Sequence, residues 1–188
     1  MAVELHDGQT RKNTQIPYVS HLLGVCAIVL DCGGDEDEAI AALLHDAVED
    51  QGGAPTLARI RDTFGERVAE IVDGLSDAYG EDGVAKAPWK ERKDGYLAGL
   101  CDHCPSTVLV SAADKLYNAR TILKDYREIG EDVWARFNGG REGTLWYYRA
   151  LLDALDGRGP ASLVSEFRLV VEEIEKLAAG AKAATASP

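Results

Sequence analysis

The chain has 188 residues, 46% of them hydrophobic, so it is long enough for one domain with a sizeable core and too apolar for global disorder. It carries 20 basic and 32 acidic residues, and this net charge of −12 argues against a general nucleic-acid binder. There is no apolar run long enough to span a membrane, the N-terminus lacks signal-peptide features, and four scattered cysteines fit a reducing compartment. We therefore predict a cytoplasmic protein with neither nucleic-acid nor membrane partners.

Helical periodicity dominates the chain, and no strand-like alternation persists. In chain order the pattern predicts a short N-terminal helix, helices over about 18–30, 35–51, 56–64, 68–75 and 89–100, one from Pro105 onwards, and two around 143–155 and 161–178. Residues 78–88 are Gly-rich and acidic, which predicts a mobile loop, and the Ala/Lys/Ser-rich residues 179–188 predict a disordered tail. The prediction is an all-α bundle of about eight helices, with a single domain over residues 1–178.

A polar cluster stands where residues 43–50 leave an apolar run. On the helix predicted over 35–51, at about 100° per residue, His45, Asp46, Glu49 and Asp50 share one wide face. Carboxylates at the edge of a core are costly unless a cation or hydrogen-bond donors compensate them. The stretch therefore predicts half of a metal site.

Two more residues can complete such a site. His21 lies one turn into the second long helix, and Asp114 interrupts an otherwise apolar helix. Taken singly, His21 is more often a core or surface histidine, and Asp114 is more often an N-cap or an ion-pair partner of Lys115 or Arg120. Taken together with His45 and Asp46, they give two imidazoles and two carboxylates, a set that suits Mn²⁺, Fe²⁺ or Zn²⁺ better than Ca²⁺ or Mg²⁺.

The order of these residues resembles that of the HD superfamily of metal-dependent phosphohydrolases, and more narrowly the hydrolase domain of RelA/SpoT-type alarmone enzymes in its stand-alone form. The segments that carry the resemblance are residues 8–12 (GQTRK), 17–21 (PYVSH), 41–50 (AALLHDAVED), 64–65 (FG) and 113–118 (ADKLYN). The resemblance implies an HD-domain helical fold and removal of the 3′-pyrophosphate of ppGpp or pppGpp, usually with Mn²⁺. It assigns the metal to His21, His45, Asp46 and Asp114, and the attacking water to Glu49 and Asp50.

The resemblance also implies where the nucleotide binds. Arg11 and Lys12 would flank the base, and Asn118 would contact the nucleoside; a solvated basic loop is the other interpretation of Arg11 and Lys12. Lys90 is the candidate for the pyrophosphate, with Arg92 and Lys93 as neighbouring alternatives, because the family's phosphate lysine falls near Trp89 in this chain.

Other functions stay open at this stage. The same chemistry could act on a ppApp-type alarmone or on the 2′-phosphate of NADPH, because the metal cluster would contact the phosphate and not the base. A non-catalytic nucleotide-binding HD module is a further alternative. A homo-oligomer is also open, because the apolar stripe of the last predicted helix, from Leu163 to Leu177, could pack within the chain or against a second copy.

Overall fold

The protein is described by a computed structural model that covers residues 1–76, 87–100 and 102–185, with no side-chain description for 182–185. Most of the predicted acidic loop, Cys101 and residues 186–188 lie outside the described residues. The described part contains α1 (Ala2–Leu5), α2 (Val19–Asp31), α3 (Glu36–Leu44), α4 (Ala47–Asp50), α5 (Gly53–Phe64), α6 (Glu66–Asp73), α7 (Trp89–Gly99), α8 (Pro105–Ile129), a 3₁₀ helix (Gly130–Arg136), α9 (Gly140–Leu155) and α10 (Ala161–Thr185).

Helix α8 forms the centre of the bundle. Pro105 occupies its first turn, where the missing N–H would have no partner in any case. Its apolar side chains, such as Val110 and Leu116, are fully buried, and the helix packs against α2, α3, α10 and the 3₁₀ helix. Asp114 lies on this helix and is buried too. Helices from both ends of the chain thus share one core with α8.

Helices α2 and α3 pack against each other and against α8. Asp35 begins α3 with a capping box, in which its side chain accepts from the Glu38 N–H and the Glu38 side chain accepts from the Asp35 N–H. Helix α2 lies close to α8 because Gly24 has no side chain. A Cβ added there would lie 1.9 Å from the Tyr117 ring. The two helices that carry His21 and Asp114 can therefore approach closely.

The structure corrects the predicted helix over residues 35–51, which is not continuous. Helix α3 ends at Leu44, and α4 begins at Ala47. Asp46 lies between them with φ −95° and ψ −5°, in the sparsely populated bridge region where active-site residues often occur. The prediction that residues 45–50 share one face of a continuous helix is therefore wrong.

The C-terminal half differs from the prediction in two places. A 3₁₀ helix that the sequence pattern did not predict connects α8 to α9, and α10 continues to Thr185 instead of ending at Ala178. Ala and Lys are strong helix formers, which explains why the predicted tail is helical through residue 185. The apolar stripe of α10 is largely buried within the chain, with Leu163, Phe167 and Ile174 each at most 3% exposed.

The all-α prediction is confirmed, since the described residues contain helices and no strand, only one isolated bridge between Thr10 and Pro17. In the described part of the chain, no helix combines the length and the apolarity needed to cross a bilayer.

Candidate metal centre and substrate cleft

Four side chains from three separate places in the chain converge at the site. His21 Nε2 lies 3.4 Å from Asp46 Oδ2 and 3.2 Å from Asp114 Oδ1. His45 Nε2 lies 2.8 Å and 3.7 Å from the same two oxygens. The two imidazole Nε2 atoms are 3.2 Å apart. The structure thus brings together all four residues that the sequence pointed to as ligands.

The chemistry of this donor set fits a cation. His45 Nδ1 donates to the carbonyl of Ala42 at 2.8 Å, so a neutral His45 presents the lone pair of Nε2 to the cluster. His21, His45 and Asp46 each offer a ligand atom within 4.8 Å of the others, and both histidines are buried. Lone pairs aimed at one point from two imidazoles and two carboxylates repel one another unless a positive charge lies between them. A divalent metal ion satisfies all four.

The electrostatics of the cluster point the same way. Burial alone would lower the pKa of His45, but the carboxylates of Asp46 and Asp114 raise this pKa well above its usual range. Burial alone would raise the pKa of Asp46, but the adjacent His45 and hydrogen bonds from both histidines hold this pKa well below its usual range. Burial alone would raise the pKa of Asp114 too, but Lys115 and both histidines hold this pKa well below its usual range. Both carboxylates therefore stay ionised and demand positive charge, which a proton on His45 supplies when no cation is bound and a metal ion supplies when His45 is neutral.

Neighbouring side chains fix both carboxylates. The Tyr18 hydroxyl donates to Asp46 Oδ2 at 2.5 Å. Asn118 Nδ2 donates to Asp114 Oδ1 at 2.6 Å, and Lys115 Nζ lies 2.6 Å from Asp114 Oδ2. These contacts set the orientation of each carboxylate and leave it little freedom to rotate, which is how outer residues tune metal ligands.

The two predicted catalytic carboxylates are separated by the structure. Glu49 lines the cavity that opens over the His/Asp cluster. Asp50 is absent from the lining of this cavity; its Oδ2 accepts from Gln9 Nε2 at 2.9 Å. Gln9 in turn accepts from Gln51 Nε2 at 2.7 Å, so the end of α4 is tied to the N-terminal loop. Asp50 faces this network, and Glu49 faces the cavity.

The cavity over the cluster has a volume of about 350 Å³ and a basic wall. Arg92 and Lys93 of α7 line it together with Lys115. Lys90 does not: its Nζ lies 2.5 Å from Asp94 Oδ1 and 3.8 Å from the centre of the Trp146 ring, on the outer side of α7. Among the candidates on α7, the structure therefore directs Arg92 and Lys93 towards the cavity and Lys90 away from it.

The predicted nucleoside contacts adjoin the metal cluster. Arg11, Lys12 and Asn118 all line the cavity. Asn118 accepts from Arg11 Nη2 at 3.2 Å while donating to Asp114, and the Arg11 guanidinium lies 5.2 Å from the centre of the Tyr117 ring. One amide therefore links the basic loop to a carboxylate of the cluster.

Comparison with known proteins decides the family. A family model described as an HD domain matches residues 1–145 of the chain. The chain belongs to the HD-domain family. The predicted resemblance is confirmed, including its narrower form.

Relatives of this HD-domain chain carry the name guanosine-3′,5′-bis(diphosphate) 3′-pyrophosphohydrolase. The MESH1 protein of Xenopus tropicalis is 39% identical over 138 residues, which cover 71% of this chain and 70% of that protein. A relative from Aquifex aeolicus is 36% identical over 126 residues, but these make up 64% of this chain and only 16% of the Aquifex protein. The chain thus spans a small part of the long bacterial relatives and most of the short animal ones.

Two solved structures share the fold of this chain. A metazoan orthologue of SpoT, described as hydrolysing ppGpp, superposes with a TM-score of 0.73 at 26% identity, covering 92% of this chain and 90% of that one. The protein lmo0812 of Listeria monocytogenes superposes with a TM-score of 0.69 at 29% identity, covering 83% of this chain and 99% of that one. The fold of this HD domain is therefore shared across nearly the whole of both short proteins.

Two further side chains of this HD domain belong to the site, although neither is among the site residues that the sequence predicts. The Tyr18 hydroxyl donates to Asp46. Lys115 pairs with Asp114 and also lines the cavity. A usable signal was present in both cases, because each lies next to or one turn from a predicted ligand and carries a group that can donate a hydrogen bond.

Proposed function

We propose that this HD domain is a divalent-metal-dependent enzyme that hydrolyses the 3′-pyrophosphate of guanosine alarmones, converting ppGpp to GDP and pppGpp to GTP with release of pyrophosphate. The names of the relatives and the shared fold support the substrate class. Four cysteines without a dense framework, of which the three described ones are free thiols, support the proposed cytoplasmic location.

One observation carries the proposal: positive charge is concentrated where a polyphosphate would bind. Among the described residues, seven basic and four acidic ones line the cavity over the cluster or the cavity that adjoins it, although the chain as a whole has 20 basic and 32 acidic residues. In a chain of net charge −12, this local inversion of charge would attract an anionic substrate and offset its phosphates. A chain that held a metal for structural reasons alone would not need a basic cleft beside it.

We propose His21, His45, Asp46 and Asp114 as the ligands, a mixed imidazole and carboxylate set that suits Mn²⁺, Fe²⁺ and Zn²⁺. Of these ions we propose Mn²⁺, because it is the one that the resemblance to RelA/SpoT-type hydrolase domains implies. When bound, such an ion supplies positive charge to a phosphate oxygen and lowers the pKa of a coordinated water.

The remaining steps belong to side chains of this chain. Glu49 lies at the cavity and would accept the proton of the attacking water. Arg92, Lys93 and Lys115 would offset the charge on the leaving pyrophosphate. Asp50, bonded to Gln9, would hold the loop that carries Arg11 and Lys12 in place.

A turnover panel tests the proposal. With Mn²⁺, we expect the purified chain to release pyrophosphate from ppGpp faster than it releases phosphate from NADPH or cleaves a generic phosphodiester, with ppApp measured beside them. Cleavage of the phosphodiester alone would refute the alarmone assignment, turnover of NADPH or ppApp alone would move the substrate to those nucleotides, and no turnover at all would favour a binding module.

The role of Glu49 is tested separately. Glu49→Gln should abolish turnover while Mn²⁺ still binds, because the carboxylate takes a proton and does not belong to the proposed ligand set. Glu66→Gln is the matched control, since Glu66 is exposed, pairs with Arg61 and lies outside both cavities. Loss of Mn²⁺ binding in Glu49→Gln would show that Glu49 is a ligand instead.

A further inference from the structure

A second cavity of about 380 Å³ adjoins the one over the His/Asp cluster. The two cavities share Arg11, Lys12, Asn118 and Phe137 as lining residues, so they meet along one boundary. A ligand with a phosphate at the cluster can therefore place another part of itself in the second cavity. The shared boundary makes this cavity the place where parts of the substrate other than the reacting phosphate can be recognised.

The walls of the second cavity favour a planar group. Three aromatic rings line it, those of Tyr117, Phe137 and Tyr148, and the planar Arg11 guanidinium lies 5.2 Å from the centre of the Tyr117 ring. Aromatic faces and guanidinium planes stack on flat π-systems. A flat ring system, rather than a flexible polar chain, matches these surfaces.

An ion pair between two partly buried side chains lines this cavity. Arg136, at the end of the 3₁₀ helix, donates through Nη1 to Asp125 Oδ2 of α8, and the two side chains are only 24% and 20% exposed. This is the one hydrogen bond that Arg136 makes among the described side chains. An arginine whose charge is already neutralised by a carboxylate is a weak site for a phosphate. Its Nε and Nη2 hydrogens, however, form a fork that can donate to two acceptors in one plane.

This fork distinguishes the two purines. Guanine presents two adjacent acceptors, N7 and O6, and arginine binds them as a pair; adenine presents N7 beside the N6 amino donor, which would face an arginine donor. We propose that Arg136 makes this chain selective for guanine over adenine by donating to N7 and O6, and that Asp125 is a positioning residue that orients the guanidinium. The inference rests on the proposed function, whose reacting phosphate would lie at the neighbouring cluster.

The test measures base preference as a ratio. The ratio of kcat/KM for ppGpp over ppApp, and the ratio of affinities for GDP over ADP by calorimetry, are determined for the wild type and for Arg136→Gln. A bidentate arginine–guanine contact discriminates by about five- to 150-fold, so we expect Arg136→Gln to lower both ratios by roughly that factor. Arg136→Lys keeps the charge but loses the fork, and it should lower the ratios as well.

The control is Arg120→Gln, which makes the same change of charge on α8. Arg120 pairs with Glu166 and lies outside both cavities, so its removal should leave both ratios unchanged. Asp125→Asn should lower the ratios because the guanidinium loses its anchor, and Asp125→Glu should restore them in part. A merely structural role for Asp125 would reduce stability without moving either ratio.

Each remaining outcome decides the matter. If Arg136→Gln weakens guanine and adenine nucleotides equally, Arg136 contacts a phosphate and the inference is wrong. It is also wrong if the wild type binds GDP no better than ADP, or binds neither. If the wild type hydrolyses no alarmone but prefers GDP, and Arg136→Gln abolishes that preference, then the proposed activity fails while the base-recognition site stands.

Discussion

Gly24→Ala tests how closely helix packing and the site depend on each other. The new Cβ would lie 1.9 Å from Tyr117 Cε2 and 2.5 Å from Cδ2, whereas ordinary contact begins at 3.4 Å. The ring must therefore retreat by about 1.5 Å, the difference between 3.4 and 1.9 Å. Tyr117 contacts the His21 ring at 5.1 Å between centres and lies beneath the Arg11 guanidinium. Its displacement moves both the predicted cluster and the predicted base site.

Two effects of opposite sign set the magnitude. Overpacking a filled interface costs about 1–3 kcal/mol. Replacing glycine by alanine inside a helix stabilises it by about 1 kcal/mol. The free energy of unfolding should therefore fall by about 0–2 kcal/mol, or a decrease in Tm of roughly 0–8 °C for a domain of this size. The KM for ppGpp should rise as well, because the displaced ring supports Arg11. A loss of stability alone would leave the KM of the folded protein unchanged.

Urea unfolding and steady-state kinetics on ppGpp measure the two effects. Gly95→Ala is the matched control, because Gly95 is an exposed residue of α7 with nothing within 4 Å of its added Cβ. This variant should be as stable as the wild type or up to about 1 kcal/mol more stable, with an unchanged KM. The reasoning fails if Gly24→Ala behaves in the same way, with a gain in stability and an unchanged KM.

Three further predictions follow from the site and its supports. Mn²⁺ at about 100 times its Kd should raise the free energy of unfolding by about 2.7 kcal/mol and Tm by roughly 5–11 °C in a thermal melt, and Asp114→Asn should remove this shift. Lys93→Gln should lower kcat/KM for ppGpp about tenfold or more, whereas Lys90→Gln should change it less than about twofold. A loss of about tenfold in both variants would place both lysines at the substrate, and a change of less than about twofold in both would place neither there. Asp35→Ala should lower Tm at neutral pH. The carboxylate of Asp35 accepts hydrogen bonds from the backbone N–H of Glu38 and from the Arg67 guanidinium, and both keep the pKa of Asp35 below its usual value. The contribution of the carboxylate is therefore present above the usual aspartate pKa and disappears as pH falls through the lowered one, so the two melts should converge in acid.

The metal cluster could be predicted because its members stand out from their surroundings. Asp114 is a carboxylate in an apolar helix, and His21 precedes an apolar run, so each has a cost that ligation removes. The helices themselves followed from periodicity and from end signals such as Asp35 and Pro105. These signals depend only on residues that are near one another in the sequence, so they can be recognised without knowledge of the tertiary structure.

The residues that line the two cavities could not be predicted as well as the His/Asp cluster. Helix α7 buries no residue completely, so no apolar stripe reveals which of its faces points inward. Its orientation depends on Trp89, whose ring fits against Gly139, the N-cap of α9, and against Gly143 within that helix, more than 40 residues along the chain. This docking turns Arg92 and Lys93 inward and Lys90 outward. The contact between Asp125 and Arg136 likewise depends on a short 3₁₀ helix that has no periodic pattern of its own.

The break at residues 45–46 explains why the chain places a histidine and an aspartate side by side at the cluster. In a continuous helix, consecutive side chains diverge by about 100° and do not face each other. Here His45 Nε2 and Asp46 Oδ2 lie 2.8 Å apart, although their residues are adjacent. The interruption between α3 and α4 allows both side chains to reach one point, and the hydrogen bond from Asp50 N–H to the Asp46 carbonyl then restarts the helix. That restart directs Glu49 to the cavity. The proposed metal ligation and the proposed proton transfer therefore depend on the same local departure from helical geometry, and a substitution that straightened this segment would impair both.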